Sequence, residues 1–392
     1  MAEGILTREM VVPLPCSMSK PEKPIPPSSI SKPQNLVFYM PQECLIEILV
    51  HLPVKTLIRF KSVCKTWLSV ISSPSFIRSQ LHNAITASKT NPTVAIISDH
   101  RHFHLINEAF LDVNRHYFSS SPIHVGSLVF PPQLDHYLDI SNKSYNGIIC
   151  FMGRNYVGYL WNPSIRQYLK LPSAPEQYTF HLGFGYDSIS GSYKVFMFGE
   201  DTTDNDVPTV FVYSTATGCW KEIRAPNWGN KFCYMDQIDV VVDGVLYADC
   251  EDTIISLDLH EEVFGLVPYP EFVQRKGSSV LDFEGSVAMV FDSVVWTLDD
   301  LCGKVSWTKR FSVKEYDSGI GIWLSYYLGA GVFYGSKFLL KYEFESDQLL
   351  YNILYDCEKK EDKCFVLQQC SIPETIKYTE TLVSLDGFQY YN

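Results

Sequence analysis

A hairpin unit that recurs through the last three quarters of the chain limits the fold more than any other feature. Each copy is an apolar strand, a polar turn and a returning strand with aromatic or aliphatic side chains. Equivalent positions are 52, 44, 41 and 44 residues apart, taking Trp161, Tyr213, Leu257, Leu298 and Tyr342 as the markers. A four-stranded unit every 40 to about 50 residues is typical of β-propeller blades. With a further unit at 94–130, the pattern predicts about six blades, in a closed ring or in an irregular, partial one.

Turn residues and aromatic content support the same interpretation. Three apolar strands follow a residue pair suited to a tight hairpin, namely Asn146-Gly147, Asp243-Gly244 and Glu284-Gly285. Asn-Gly and Asp-Gly favour the positive φ angles that such a turn requires. Aromatic residues make up 14% of the chain, which favours strands. The tryptophans at 161, 220, 296 and 307 are expected to pack between blades.

The first 39 residues have a different composition. Prolines at 21, 24, 26, 27 and 33 leave no run that could form a helix or a sheet. The sequence predicts a disordered, Pro-rich tail at 1–39. A ligand for an SH3-like groove is the alternative for this segment.

Residues 40–84 show the spacing of three short helices. Leu45, Ile48, Leu49 and Leu52 recur at i, i+3, i+4 and i+7, which places them on one helix face. Pro53 ends this helix because proline lacks an N–H donor and clashes with the preceding turn. A second helix is expected from Val54 to about Val63, and a third around Trp67 that ends near Pro74. Three helices in about 45 residues rarely support a core alone, so this part is expected to lean on a partner.

Charge is distributed unevenly along the chain. The 32 Lys or Arg and 44 Asp or Glu give a net charge of −12. Nine and five of these lie in 1–84, so that part carries +4 and the remainder carries −16. An acidic body argues against a general binder of nucleic-acid phosphates. Since no apolar stretch approaches the roughly 18 residues of a membrane span, we expect no membrane partner either.

The eleven cysteines do not resemble a disulfide framework. Their number is odd, no C-x-x-C pair occurs, and several lie in apolar strand-like runs around Cys150 and Cys250. Buried, reduced thiols are typical of reducing compartments. We therefore expect the protein to be located in the cytoplasm, the nucleus or both.

The helical part resembles an F-box. The resemblance rests on 40–49 (MPQECLIEIL) and 52–67 (LPVKTLIRFKSVCKTW), which include the Leu-Pro turn, the basic-aromatic stretch and the Val-Cys-Lys-x-Trp ending. Cys44 stands where the family usually has Leu.

The body resembles the F-box-associated domain of plant proteins, a relative of kelch repeats. The matching segments follow in family order and include 145–150, 160–166, 183–187, 212–214, 306–309 and 381–385. Tyr145 replaces the usual Cys before Asn-Gly. The two resemblances imply a mainly β fold with a small N-terminal α domain. A three-helix F-box at 40–84 would precede a β-propeller-like domain of about six hairpin-rich blades at 94–388.

The F-box resemblance also implies a function. It indicates the substrate-recognition subunit of a Skp–cullin–F-box ubiquitin ligase, non-catalytic and without cofactor or metal. The helices would dock on a Skp-family adaptor, and through it on cullin, while the β domain holds a protein target of unknown identity. The residues expected at the adaptor are Pro41, Leu45, Ile48, Leu49, Leu52, Pro53, Leu57, Val63, Cys64 and Trp67, and an internal core of the helices is the alternative place for each.

Other functions stay open at this point. An adaptor-bound protein could hold a partner without directing its degradation. A carbohydrate-binding or enzymatic β-propeller would need carboxylates or aromatic side chains converging on the central channel. The alternating histidines at 100, 102 and 104 share a strand face but lack the further ligands of a zinc site, so a solvated face is favoured.

Overall fold

A computed structural model gives the structure of the chain. It describes residues 41–90, 93–98, 102–107, 127–129, 137–153, 157–174, 180–199, 209–226, 240–250, 253–270, 279–291, 294–301, 304–312, 332–334, 337–343, 350–356, 361–366 and 374–390. The Pro-rich tail at 1–39 and His100 lie outside the described residues, as do the side chains of His102 and His104.

Four helices begin the described chain. They are α1 (Gln42–Val50), α2 (Val54–Phe60), α3 (Lys65–Ile71) and α4 (Pro74–Thr90). The first three are the predicted helices, and α3 ends shortly before Pro74 as expected, but the three-helix prediction missed α4. The hydroxyl of Ser73 accepts the N–H of Phe76 at 3.3 Å and caps a new helix in which Pro74 is the first residue. A Ser-Pro pair therefore marks a helix start here, because proline loses no hydrogen bond in a first turn. None of the helices in the described part of the chain is long and apolar enough to span a membrane.

Most of the remaining described residues lie in 25 strands, of which 24 form six groups of four that we call blades. Blade 1 consists of β1 (Thr93–Ser98), β2 (His102–Asn107), β3 (Ser127–Val129) and the late strand β24 (Glu374–Tyr378). Blade 2 consists of β4 (Tyr137–Tyr145), β5 (Ile148–Gly153), β6 (Gly158–Asn162) and β7 (Gln167–Lys170), and β25 (Gln389–Tyr390) pairs with its outer edge.

The other four blades are four-stranded antiparallel sheets in simple chain order. Blade 3 contains β8 (Phe180–Asp187), β9 (Ser192–Gly199), β10 (Thr209–Ser214) and β11 (Cys219–Arg224). Blade 4 contains β12 (Val240–Val242), β13 (Val245–Cys250), β14 (Thr253–Asp258) and β15 (Phe264–Pro268). Blade 5 contains β16 (Ser279–Phe283), β17 (Ser286–Phe291), β18 (Val294–Leu301) and β19 (Lys304–Ser312). Blade 6 contains β20 (Val332–Tyr334), β21 (Lys337–Glu343), β22 (Leu350–Asp356) and β23 (Glu361–Val366). The prediction of about six hairpin-rich blades is confirmed.

The ring closes by combining strands from both ends of the β domain. β24 pairs antiparallel with β1, so that Ile376 lies opposite Ala95, and it also meets β4 through one parallel pair. Along the ring, first strands of successive blades contact each other from β12 to β16 and from β16 to β20, and β20 contacts β24. A blade shared between early and late strands means that the ring cannot close before the end of the chain is in place.

Apolar clusters fill the spaces between neighbouring blades. In β5, Ile149 and Phe151 face the cluster shared with blade 1, while Ile148 and Cys150 face the cluster shared with blade 3. In β9 the same alternation continues toward blade 4. Because successive side chains of a strand point to opposite faces, central strands buried on both sides are apolar throughout. Cys150 and Cys250 are buried in these clusters, whereas Cys44, Cys64 and Cys219 are exposed.

The tight turns follow the sequence expectation, with one error in the repeat. Asn146, Asp243 and Glu284 have φ between 48° and 54°, and the glycine after each has φ between 79° and 82°. These angles belong to hairpins between the first and second strands of blades 2, 4 and 5. The equivalence of Tyr342 is wrong, since Tyr342 lies in the second strand of its blade whereas the other four markers lie in the third. A similar aliphatic-aromatic pattern occurs in both strands, so spacing alone cannot distinguish them.

Tryptophan side chains seal blade boundaries, as the sequence suggests. Trp161 is fully buried between blades 1 and 2. Trp220 packs on the cluster between blades 2 and 3 and donates its ring N–H to the carbonyl of Pro172 at 2.9 Å. Trp307 repeats this between blades 4 and 5, donating to the carbonyl of Pro268 at 3.1 Å. Each amphipathic ring thus covers apolar surface and satisfies its polar edge.

A buried ionic cluster joins blades 3 and 4. Lys194 donates to Glu262 at 2.9 Å and to the carbonyl of Leu259, and its ammonium group lies 3.8 Å from Asp187. The ring of His260 contacts the same Asp187 carboxylate at 3.0 Å. Burial would raise the pKa of Asp187, but hydrogen bonds from Ser190, His260 and nearby backbone N–H groups hold it well below its usual range. Buried charges of opposite sign that are also hydrogen-bonded fix two blades in one arrangement.

Gly147→Ala tests the contact between the first turn of blade 2 and the end of the chain. A Cβ atom at Gly147 would lie 2.5 Å from the Thr381 hydroxyl and 2.7 Å from the Thr379 carbonyl oxygen. Since this clash adds to the cost of an Ala at positive φ, we expect a loss of about 2–4 kcal/mol in the free energy of unfolding, measured by urea denaturation.

Gly244→Ala is the matched control for this clash. Gly244 has the same φ of +79° in the same type of turn, and a Cβ there would meet nothing within 4 Å. We expect only the backbone cost of about 1 kcal/mol at this position. Equal losses for the two variants would show that the close approach of Thr381 has no energetic weight.

Asp187→Asn tests the ionic cluster. The folded-state pKa of Asp187 is lowered, so its charge stabilises the fold above the unfolded pKa of about 3.9, and this contribution is lost as the pH falls further. We expect the variant to lose about 1–3 kcal/mol at pH 7, with the difference from wild type shrinking below about pH 4.

Asp243→Asn is the control for charge removal, because Asp243 is exposed and Asn suits its turn equally well. Thermal unfolding of both variants between pH 3 and pH 8 provides the comparison. A constant deficit of Asp187→Asn across that range would contradict the electrostatic account.

Candidate functional site

The helices form a small core of their own, which decides which side chains stay available at the surface. Leu49, Val54, Leu57, Val70, Ile71 and Phe76 are buried in this core. Two residues predicted at the adaptor are among them, since Leu49 is 1% and Leu57 0% exposed. The structure therefore places Leu49 and Leu57 beneath the surface, where they support it.

A second set of apolar side chains is left at the helical surface. Ile48 is 51%, Val63 59% and Leu68 46% exposed, and Ile58 is exposed as well. Large aliphatic side chains exposed within so short a stretch of chain are typical of a binding surface. We call this set, with Pro53, the apolar helical surface.

The turn between α1 and α2 presents Pro53. The N–H of Leu52 donates to the carbonyl of Leu49 at 3.0 Å, and the carbonyl of Pro53 accepts from Thr56 at 2.9 Å. Pro53 precedes α2 with φ −56° and ψ 144°, the extended conformation that starts a helix. As a result Pro53 is exposed, while Leu52 is half-buried against the core.

The turn between α2 and α3 presents Val63 and Cys64. The N–H of Val63 donates to the carbonyl of Phe60 at 3.1 Å. Cys64 caps α3, because its sulfur accepts the N–H of Trp67 at 3.5 Å. The rings of Phe60 and Trp67 lie 4.9 Å apart beneath this turn. Packed aromatic rings below a tight turn force the turn residues outward, which explains the exposure of Val63.

The ten residues predicted at the adaptor thus divide by exposure. Pro41, Ile48, Pro53, Val63 and Cys64 are exposed, Leu45, Leu52 and Trp67 are half-buried, and Leu49 and Leu57 are buried. Sequence reasoning did not single out Ile58 and Leu68. Spacing gave no signal for them, because adjacent residues of a short helix can both be buried, as Val70 and Ile71 are in α3.

The helices that carry the apolar helical surface also expose several basic side chains. Residues 42–90 contain six Lys or Arg and two Glu. Of the basic residues, Lys55, Arg59, Lys65, Arg78 and Lys89 are exposed. Lys61 is half-buried, and burial lowers its pKa. This arrangement favours a partner whose surface is both apolar and acidic.

The described residues of the propeller offer no comparable chemical site. Among them, no group of three or more His, Cys, Asp or Glu lies close enough to hold a metal ion. Asp187, His260 and Glu262 do converge, but Lys194, the Ser190 hydroxyl and backbone groups occupy their oxygens. The apolar helical surface is the candidate site that the geometry supports.

Comparison with known proteins identifies both parts of the chain. Residues 38–79 match the model of the F-box domain, and residues 108–387 match that of the F-box associated beta propeller domain. F-box protein At5g10340 of Arabidopsis thaliana is 30% identical over 305 residues, which cover 68% of this chain and 67% of that protein. F-box/kelch-repeat protein At3g23880 of the same plant is 26% identical over 349 residues, covering 82% and 88%.

Other comparisons are shorter or weaker. Two further Arabidopsis thaliana relatives, 29% and 28% identical, are matched over 64% and 65% of their own length, so the match spans somewhat less than two thirds of each. The solved structure of YjhT is 12% identical, covers 60% of this chain and 85% of that chain, and has a TM-score of 0.42, too low to bear on the assignment.

The propeller model alone accounts for well over half of the chain, and the helices that precede the propeller match the F-box model in the order that the sequence predicts. The chain belongs to the family of plant F-box proteins with a C-terminal F-box-associated β-propeller domain.

Proposed function

We propose that this protein is the substrate-recognition subunit of a Skp–cullin–F-box ubiquitin ligase. The helices dock on a Skp-family adaptor and through it on cullin, and the propeller binds a protein target. The observation that carries the proposal is the apolar helical surface, which lies on the part of the chain that matches the F-box. Burying an aliphatic side chain as large as Ile48 contributes about 1.5–3 kcal/mol, so a few of them suffice for a stable contact.

The partner's chemistry follows from this surface. An apolar groove in the adaptor would accommodate the exposed side chains of Ile48, Ile58, Val63 and Leu68. Acidic side chains around that groove would pair with the exposed Lys55, Arg59 and Lys65. Opposite charges at the rim of an interface speed association and select the partner, while the apolar centre supplies most of the affinity.

The mechanism is tethering and needs no reactive group in this chain. F-box proteins are generally non-catalytic subunits. By holding a target close to a conjugating enzyme on the same assembly, the receptor raises the effective concentration of the target's lysines. The propeller suits this role because its blades are locked by apolar clusters and by the buried Lys194–Glu262 pair.

The propeller is proposed to bind the target, because the adaptor contact is assigned to the apolar helical surface and leaves the propeller, the other rigid part of the described chain, free for a second partner. We propose the cytoplasm or the nucleus as the site of this activity.

Ile48→Asp and Val63→Asp test the adaptor contact. Both side chains are more than half exposed, so a carboxylate there leaves the helical core intact, in contrast to a change at the half-buried Leu52. We expect each variant to bind a purified Skp-family adaptor at least about tenfold more weakly, because a charge would be buried in an apolar centre. Isothermal titration calorimetry measures the affinity.

Ile189→Asp provides the matched control. Ile189 is an aliphatic residue, 74% exposed, in a turn of blade 3 outside the apolar helical surface. Its variant is expected to keep wild-type affinity for the adaptor. Wild-type affinity in both helical variants would refute the proposed contact, and circular dichroism checks that all three variants keep the fold.

A further inference from the structure

The segment after the last propeller strand runs between the helices and blade 2. It leaves β24 at Tyr378, and its far end, β25, pairs with β7 so that Gln389 lies opposite Tyr168. We call residues 379–390 the closing segment. Its residues 380–383 are held from both sides by buried amide side chains, one from α4 and one from blade 2.

On the helical side, the side chain of Gln80 holds the backbone of the closing segment. Its amide nitrogen donates to the carbonyl of Glu380 at 3.5 Å, and its amide oxygen accepts the N–H of Leu382 at 3.2 Å. Gln80 is 4% exposed. Donor and acceptor of one buried amide are therefore both used on backbone groups two residues apart.

On the propeller side, the amide nitrogen of Asn162 holds the backbone of the closing segment from the opposite face. Its amide nitrogen donates to the carbonyls of Thr381 and Val383, at 3.2 and 2.8 Å. Its amide oxygen accepts the N–H of Ser164 at 3.0 Å. The hydroxyl of Thr381 in turn donates to the carbonyl of Asn146 at 2.6 Å. Alternate residues of the segment thus face alternate sides, as expected for extended backbone.

The side chain of Leu382 points into the helical core. It is 2% exposed and belongs to the same cluster as Leu49, Leu57 and Ile71. Ile165, in the short turn Pro163–Ile165 of blade 2, packs against this cluster from the propeller. One fully buried member of the helical core is therefore supplied by a residue some three hundred positions away in the chain.

The helices need this contribution. The helices α1, α2 and α3 have nine, seven and seven residues, and isolated helices shorter than about 12 residues are marginal in water. A domain of about 50 residues buries too little apolar surface to lose a complete leucine without consequence. β24, whose pairing with β1 closes the ring, leads directly into the closing segment, so the same pairing places this segment next to α4.

We propose that the closing segment is a latch that couples the two parts of the protein: Leu382 and the Gln80 contact complete the helical domain, so that the apolar helical surface is formed only on a closed propeller. An incomplete chain, or one whose ring is open, lacks the surface. The consequence for the adaptor rests on the proposed function, whereas the coupling itself does not.

Leu382→Ala in the full-length protein tests the latch by hydrogen exchange followed by mass spectrometry. Removing the buried side chain leaves a cavity in the helical core, and we expect amides of residues 45–85 to exchange on the order of 100-fold faster. Strands of blades 3 and 4 are expected to exchange as in wild type. Leu382→Met, which nearly conserves volume, is expected to stay close to wild type.

Leu385→Ala is the matched control. Leu385 lies in the same segment but packs on the apolar cluster between blades 2 and 3, so its loss should leave exchange in the helices unchanged. Unchanged helical exchange in Leu382→Ala would overturn the proposal. Equal acceleration in helices and strands would overturn it as well, because Leu382 would then support the propeller rather than the helices.

Adaptor binding by the same variants separates the latch from the proposed function. The latch and the proposed function are both supported by one pattern of adaptor affinities. In that pattern wild type binds the adaptor, Leu382→Ala binds it at least about tenfold more weakly, and Leu385→Ala binds it as wild type does. If wild type fails to bind any Skp-family adaptor while exchange in Leu382→Ala is confined to the helices, the proposed function fails and the latch stands. Full adaptor affinity in a Leu382→Ala protein with destabilised helices would contradict the dependence of the surface on the latch.

Discussion

The pairing of β24 with β1 is the contact on which the rest of the structure depends. Residues Glu374–Tyr378 complete a blade whose other three strands come from the start of the β domain. Ile376 and Tyr378 then lie in the cluster between blades 1 and 2, with Trp161 and Phe151. An open row of blades leaves unpaired strand edges exposed until the first and last blades meet. The pairing of β24 with β1 removes these edges and converts the row of sheets into a closed ring.

Two buried side-chain amides connect the closed ring to the helices through the closing segment. Asn162 and Gln80 are nearly inaccessible to solvent. Gln80 uses both its amide nitrogen and its amide oxygen on the backbone of residues 380–383, and Asn162 uses its amide nitrogen there. A buried amide without partners is costly, so each is stabilising only when the segment lies between them. The helical domain and the propeller are therefore joined by specific hydrogen bonds and a shared apolar core. In the proposed function, this connection would present the target to the rest of the ligase at a fixed distance and angle.

Local backbone preferences made much of this fold predictable from the sequence, whereas the long-range packing could not be predicted from it. Asn146-Gly147 and Asp243-Gly244 specify their turns through their own backbone preferences, and the spacing from Leu45 to Leu52 specifies a helix. The start of α4 at Pro74 was missed because proline both ends and begins helices, and only the Ser73 cap marks Pro74 as a first helical residue. The exposure of Ile48 and the burial of Leu57 depend on which neighbours each meets. Leu382 reads as part of a propeller repeat, and no local signal tells that it enters the helical core.

The central claim is that the helices and the propeller form one body held by the closing segment. Distance measurement between spin labels on Ser69 of α3 and Thr217 in the turn after β10 tests it most directly. Both positions are exposed, and labels attached through unnatural residues avoid the eleven cysteines. The account predicts a single narrow distance distribution in the free protein that persists at high salt. A broad distribution, typical of two domains on a flexible linker, would contradict it.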